Sequence, residues 1–201
     1  MNLTQRSAGV LLHITSLPGP HGIGDLGPDA FHFVDWLMSA GQSLWQVLPT
    51  TPIGPGDSPY QSESAFAGSP LMVALQPLVA KGWLSEPALP EAGFDAERVA
   101  YTQVVPWRIA QLRAACDGFF GAAAGEDRIA FSSWCTAQSH WLDDYVLFMA
   151  LAHAHAGATW WHWPKPLRER KPAALAKARR ELAGEIRFWQ FVQWCFDTQW
   201  A

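Results

Sequence analysis

The sequence predicts an α/β fold that opens with one βαβ unit and continues as a mainly helical chain. Three observations point to it. Two short apolar runs, at residues 9–12 and 44–48, each halt at turn chemistry, as buried strands do. Between them, residues 28–40 carry apolar side chains at helical spacing. Beyond residue 105, long stretches repeat that spacing with few breakers.

In chain order, the first strand ends at His13 and Ser16-Leu17-Pro18-Gly19-Pro20, and Pro28 suits a first helical position. Phe31, Val34, Leu37 and Met38 mark the inward face of this helix, Asp29 and Asp35 its outer side, and Gly41 its stop. A strand, a helix and a strand within about forty residues make a βαβ unit, so the strands should be parallel and the crossover right-handed.

Pro49, Pro52, Pro55 and Pro59 then exclude regular structure and leave a stiff loop carrying Asp57, Ser58, Tyr60 and Gln61. Such a loop can hold a ligand at low ordering cost or act as a plain connector, and the residues alone leave both readings open. Residues 75–81 read as a short helix closed by Gly82, and 85–105 as an irregular covering segment. Three helices come after it, at about 106–124, 127–156 and 172–200. Trp141, Tyr145, Phe148, Met149 and Ala152 form a stripe on the second, and residues 157–166 make an aromatic loop before the third. The last helix is apolar on nearly every face and meets no stop signal, as expected of an architecture that continues.

The 201 residues are 49% apolar and 16% charged, enough for a substantial core. A net charge of −4 lacks the electrostatic footprint of a nucleic-acid binder, and the one basic cluster, Arg168 to Lys171 with Lys177, Arg179 and Arg180 after it, alternates with Glu and Ala and reads as a solvated helix face. No apolar run reaches membrane-spanning length, and no signal peptide is visible. Cys116, Cys135 and Cys195 lack disulfide or metal-ligand spacing, so a cytoplasmic chain without a metal site is expected. The 12 tryptophans suit sugar stacking, but most fall at helical spacing and read as core.

Carboxylates that work as a catalytic pair must converge on one reacting bond. Asp143 and Asp144 are neighbours on a helix and diverge by about 100°. Asp57 and Asp25 read as turn residues bonding their own backbone, and Glu63 as solvent-exposed. No catalytic residue is assigned.

The runs Leu12-His13-Ile14-Thr15-Ser16-Leu17-Pro18-Gly19, Trp45-Gln46-Val47-Leu48-Pro49, Gly56-Asp57-Ser58-Pro59-Tyr60-Gln61-Ser62 and Ala65-Phe66-Ala67-Gly68 together resemble the amylomaltases, the disproportionating 4-α-glucanotransferases. Weaker similarity continues through Leu142-Asp143-Asp144-Tyr145 and residues 160–164 to the C-terminus. The resemblance implies the N-terminal part of a (β/α)₈ barrel, incomplete here, since such a barrel takes about 250 residues before insertions. Residues 1–55 would be its first βαβ unit and 56–201 a substrate loop with a mainly helical insertion.

It also implies transfer of α-1,4-glucan segments between maltooligosaccharides with retention and without a cofactor. Tyr60 would stack on the sugar and Ser58 bind it, with Asp57, Gln61 and Trp45 as further substrate-binding candidates. Trp45 also reads as a core or supporting residue, and His13 equally as a structural or a ligand-facing histidine. Where some members carry an aromatic residue, this chain has Pro55, which places a remote glucan grip there in doubt. The family's catalytic carboxylates match no position here, so the chain alone is expected to be inactive. Its expected partners are glucans and either the missing C-terminal part or a second copy. The alternative from another class is a non-catalytic glucan-binding or structural module; an unrelated helical interaction protein would require the loop motif to be coincidence.

Overall fold

A computed structural model describes residues 6–87, 93–95, 97–122 and 124–201. The chain forms two compact units. One holds Met1–Ala123 with Cys195–Ala201, the other Ala124–Trp194.

In the first unit, β1 (Gly9–Leu11) and β2 (Leu44–Gln46) pair in parallel, with Val10 opposite Trp45. Helix α1 (Pro28–Ser39) connects them, starting on Pro28 as the sequence predicts. The βαβ reading therefore holds. A two-stranded sheet closes no barrel. β2 is shorter than the expected 44–48 run, because Pro49 and the loop behind it draw the chain out of the ladder.

The inward face predicted for α1 is only partly buried. Ala30 and Leu37 are enclosed, but Phe31 is 66% and Met38 71% exposed, with Val34 and Trp36 also open. On that side Phe31 and Val34 line a shallow cavity with Trp45, Gln199 and Trp200.

After a run of short 3₁₀ turns, α2 (Gln76–Ala80) ends at Lys81 and Gly82, the latter in the left-handed region at φ +71. The segment 88–92 and residue 96, inside the predicted irregular 85–105 stretch, lie outside the described residues. The predicted start of the next helix is corrected: α3 runs Tyr101–Ala122 with Pro106 inside it. The first turn forms because Val104, fully buried, packs with Ile23 and Leu71 while Tyr101 and Val105 flank them. Such packing outweighs the one hydrogen bond a proline removes near a helix start, each buried aliphatic side chain contributing about 1.5–3 kcal/mol.

The second unit contains α4 (Gly125–Ala154), the short α5 (Lys165–Arg168), α6 (Pro172–Glu181) and most of α7 (Ala183–Trp200). The helix predicted over 172–200 is thus two. Leu182 leaves helical geometry (φ −105, ψ 20) and packs on a cluster of Leu147, Leu151, Trp163 and Ala178. The buried face of α4 runs through Leu142, Tyr145, Val146, Leu147, Ala150 and Leu151. It lies one step round from the predicted stripe, of which Phe148 and Ala152 pack at the cluster's margin. On α7, Phe188, Trp189 and every residue from 191 to 195 are buried, in keeping with its all-round apolar sequence.

Candidate functional site

The proline-rich loop after β2 is held by its own backbone and hydroxyls. Ser69 N–H donates to the Thr50 carbonyl at 2.8 Å and closes the loop at its base. Near the tip, Gly54 N–H donates to the Ser58 carbonyl at 2.9 Å, and the two residues form an isolated antiparallel bridge. A Cβ on Gly54 would lie 1.8 Å from the Gln61 carbonyl oxygen, so only glycine lets the two strands of the tip approach this closely. Between them Gly56 (φ +69) and Asp57 (φ +57) both turn left-handed.

Serines fix the rest of the loop. Ser58 Oγ accepts the Tyr60 N–H at 3.3 Å and starts the 3₁₀ turn Pro59–Gln61. Ser64 Oγ accepts the N–H groups of Phe66 and Ala67 at 3.2 and 3.1 Å, and Ser69 Oγ that of Leu71 at 3.3 Å. Each hydroxyl replaces a helix or ladder bond that the prolines forbid. The outcome is an irregular but constrained segment presenting Tyr60, 70% exposed, with its ring toward solvent.

The sequence expected Asp57 to bond the backbone two residues on; Ser58 does this instead. Asp57 stays at the exposed tip, as do Gln61 and Glu63. Trp45 is half-buried, donates its indole N–H to the Leu12 carbonyl at 2.7 Å and meets Phe33 edge-on at 4.9 Å between ring centres. It packs on Ile14, Leu26 and Met72. In this arrangement Trp45 ties the loop's root to the core, and Tyr60 and Ser58 stand at its tip.

The same unit holds a buried polar centre. Asp25 Oδ1 accepts the Gly27 N–H at 3.0 Å, the turn role expected of it, and Oδ2 accepts from Arg108 Nη2 at 3.0 Å. Arg108, at 0% exposure, also donates to the Val73 carbonyl. It fastens the turn leading into α1, the 70–74 segment and α3 to one another. Sequence reasoning passed over Arg108. Its signal was position: it continues the apolar stripe Val104, Leu112, Ala115 and Phe119 of α3, where a cation must find a partner.

His21 stacks on Trp107 at 5.6 Å beside this pair. Its pKa is lowered by burial and, secondarily, by the Arg108 charge, with Asp25 and Glu86 opposing. His13, which leads into the turn after β1, is also buried and its pKa is lowered by that burial. Both rings are buried, which disfavours their charged forms.

Two carboxylates among the described residues are tied up by other groups. Asp25 is the one buried carboxylate among the described residues, and both its oxygens are engaged. Asp144 accepts from Arg170 at 2.7 and 2.8 Å, with Arg179 at 3.7 Å. Among the described residues no group of three or more His, Cys, Asp or Glu side chains could hold a metal ion, and no helix is long and apolar enough to cross a membrane.

Similarity to known proteins runs through the same residues. The sequence profile of the 4-alpha-glucanotransferase family matches residues 12–201. The 4-alpha-glucanotransferase of Thermus thermophilus is 47% identical over 196 residues, and that of Synechocystis sp. is 42% identical over 199. Each alignment covers 98% of this chain and 39% of the relative, so the chain spans about two fifths of their length. In structure it is similar to amylomaltase from Streptococcus agalactiae in complex with acarbose, with a TM-score of 0.91 at 34% identity. That match covers 98% of this chain and 40% of the other.

Proposed function

Because this chain belongs to the 4-alpha-glucanotransferase family, we propose that its 201 residues form the front part of a transferase that moves α-1,4-glucan segments between maltooligosaccharides. The observation that carries the reading is the constrained 54–61 turn, which offers the exposed ring of Tyr60 beside Ser58. A ring held in advance can stack on the apolar face of a glucosyl unit with little ordering cost. Ser58, Asp57 and Gln61 supply hydroxyl, carboxylate and amide groups for sugar hydroxyls at the same tip, and Trp45 supports the loop from below. That a solved relative is in complex with acarbose fits a sugar cleft in this family.

In the proposed reaction a carboxylate displaces the leaving glucan from the anomeric carbon while an acid protonates the departing oxygen. The glucosyl–enzyme ester is then attacked by the 4-hydroxyl of an acceptor, its proton taken by the same acid/base. This chain's contribution is to seat the sugar. The nucleophile and the acid/base come from outside these residues, since Asp25 is fully engaged, Asp144 is bound to arginine, and Asp57 and Glu63 are solvent-exposed. No metal or organic cofactor enters the reaction.

On this reading residues 1–55 are the first βαβ unit of a (β/α)₈ barrel, and 56–201 are the substrate loop and helical insertion. The rest of such a barrel covers the open side of α1 in a cytoplasmic enzyme. The second reading is a non-catalytic glucan-binding module, which the engagement of Asp25 and Asp144 equally suits.

The experiment is incubation of the chain with maltotriose, with products resolved by length, alone and with the C-terminal portion of a family member added. We expect no products alone and, on addition, glucose with longer maltooligosaccharides that are lost with Tyr60→Ala. Products from the chain alone would refute the placing of the catalytic groups. No products under either condition, with Tyr60-dependent binding of maltotriose, would favour the binding module.

A further inference from the structure

The second unit holds a cavity of about 380 Å³ that the loop around Tyr60 does not contribute to. Its floor is Leu147, Phe148, Leu151, Leu167 and Leu175, with Trp163. Trp160, 51% exposed, forms a wall, and Asp144, Arg168 and Arg170 form the rim. A cavity of this size, mostly apolar with a few polar groups converging at one side, has the build of a small-ligand site.

Its wall is fixed by hydrogen bonds rather than by burial. Trp163 donates its indole N–H to the Ala158 carbonyl at 2.8 Å, Thr159 Oγ1 bonds His162 Nδ1 at 2.9 Å, and Arg168 Nη1 donates to the Trp161 carbonyl at 3.0 Å. These hold the 3₁₀ turn Trp160–His162 with the Trp160 and Trp161 rings half out of the protein and edge-on to each other at 5.8 Å. Two adjacent large rings kept in water by their own scaffold, beside an apolar cavity, are costly unless something stacks on them.

The rim selects the ligand. Arg170 sits at φ +52, a left-handed position that residues with a Cβ rarely adopt, and its Nη2 holds both Asp144 oxygens. Both side chains remain more than half exposed, so the guanidinium keeps outward-pointing donors and the carboxylate keeps outward acceptor positions beside the tryptophan wall. A planar donor set next to a planar acceptor set matches adjacent hydroxyls on a pyranose ring, whose C–H face suits the indole. Rim charges of both signs disfavour an anion or a cation as the occupant.

We propose that this cavity binds an α-1,4-linked maltooligosaccharide, with Trp160 as the stacking platform and the Asp144–Arg170 pair as the hydroxyl clamp. The choice of an α-1,4-glucan rests on the family reading above. The site's existence rests on the geometry of residues 144–175.

The test is a ¹H–¹⁵N titration of the chain with maltohexaose, following indole N–H signals assigned through single Trp→Phe variants. The Trp160 and Trp161 signals should move saturably in the chain and in Tyr60→Ala. Trp160→Ala and Arg170→Ala should each weaken this event about tenfold or more, the equivalent of ~1.4 kcal/mol, with Trp160→Phe restoring most of it. Unmoved Trp160 and Trp161 signals would overturn the proposal whatever Tyr60→Ala does. So would movement that disappears in Tyr60→Ala, or movement with anilinonaphthalene sulfonate but not with maltohexaose, which would mark an apolar docking groove. Loss of the Tyr60-dependent event alone refutes the cleft reading and leaves this one standing.

Discussion

Removing the charge of Asp25 while Arg108 stays tests whether the buried ion pair is the fastening point of the first unit. Arg108 is fully enclosed, and its Nη2 donates both to Asp25 and to the Val73 carbonyl, while Nε and Nη1 are buried without a partner among the described residues. The guanidinium thus depends on one carboxylate for its compensation. Breaking a buried pair from one side leaves an uncompensated charge and costs about 3–5 kcal/mol. In Asp25→Ala the buried Gly27 N–H also loses its acceptor, for about 1–3 kcal/mol more. The sum approaches the whole stability of an ordinary domain, about 5–15 kcal/mol. Asp25→Asn is therefore the better single variant, because its amide oxygen keeps the Gly27 bond. Arg108→Met removes the other partner at similar volume. By urea unfolding followed by circular dichroism, each single variant should lose about 3–5 kcal/mol. The double variant should lose much less than the sum, giving a coupling of about 2 kcal/mol or more between the two positions. Single losses below about 1 kcal/mol that simply add would refute the view that this pair fastens α3 to the turn before α1 and to the 70–74 segment.

Two further outcomes are expected of the same region. The pKa values of His13 and His21 both lie below the ordinary 6.5, chiefly through burial, so the unfolded chain binds their protons at a higher pH than the folded one does. Stability is then full above pH 6.5 and falls as the pH drops from there toward the folded values, with a slope of up to about 1.4 kcal/mol per pH unit for each histidine. Unfolding midpoints in urea between pH 7.5 and 5 check this, and the slope should shrink in His21→Gln. Gly54→Ala forces its Cβ against the Gln61 carbonyl and opens the loop tip. It should weaken Tyr60-dependent maltotriose binding about tenfold while lowering Tm by less than about 4 °C, and unchanged binding would show that the tip's closure does not position Tyr60.

Local chemistry decided the features that could be read from the sequence. Pro28 at the head of α1, Gly82 behind α2 and the irregular loop after Pro49 each come from one residue's backbone preference, and they stand where expected, while both strands stop one or two residues early. The loop's stiffness was legible from its prolines, but its serine scaffold was not, because which hydroxyl accepts which N–H depends on turns only the folded chain defines. Tertiary packing decided the rest. Val104 drew α3 back past Pro106, and Leu182 broke one long periodic run into α6 and α7 by docking on a cluster assembled from α4 and the 157–166 loop. Arg108 was hidden for a related reason: an arginine in an apolar stripe reads as an interruption until Asp25, distant in sequence, arrives beside it.

The open side of α1 shows the limit of such reading most directly. Periodicity identifies which side chains need cover, and Phe31, Val34 and Met38 do have the spacing of a buried face. It does not say what provides the cover, and here they face solvent next to a shallow cavity walled by Trp45, Gln199 and Trp200. Of the predicted face only Leu37 is enclosed, together with Ala30 beside it, so the helix buries one edge of its apolar side and leaves the rest open. An amphipathic helix with both its ends anchored and its apolar face open is half of an interface. In the reading proposed above, the remaining strands and helices of the barrel supply the other half, which is why adding a family member's C-terminal portion is the decisive arm of the maltotriose assay.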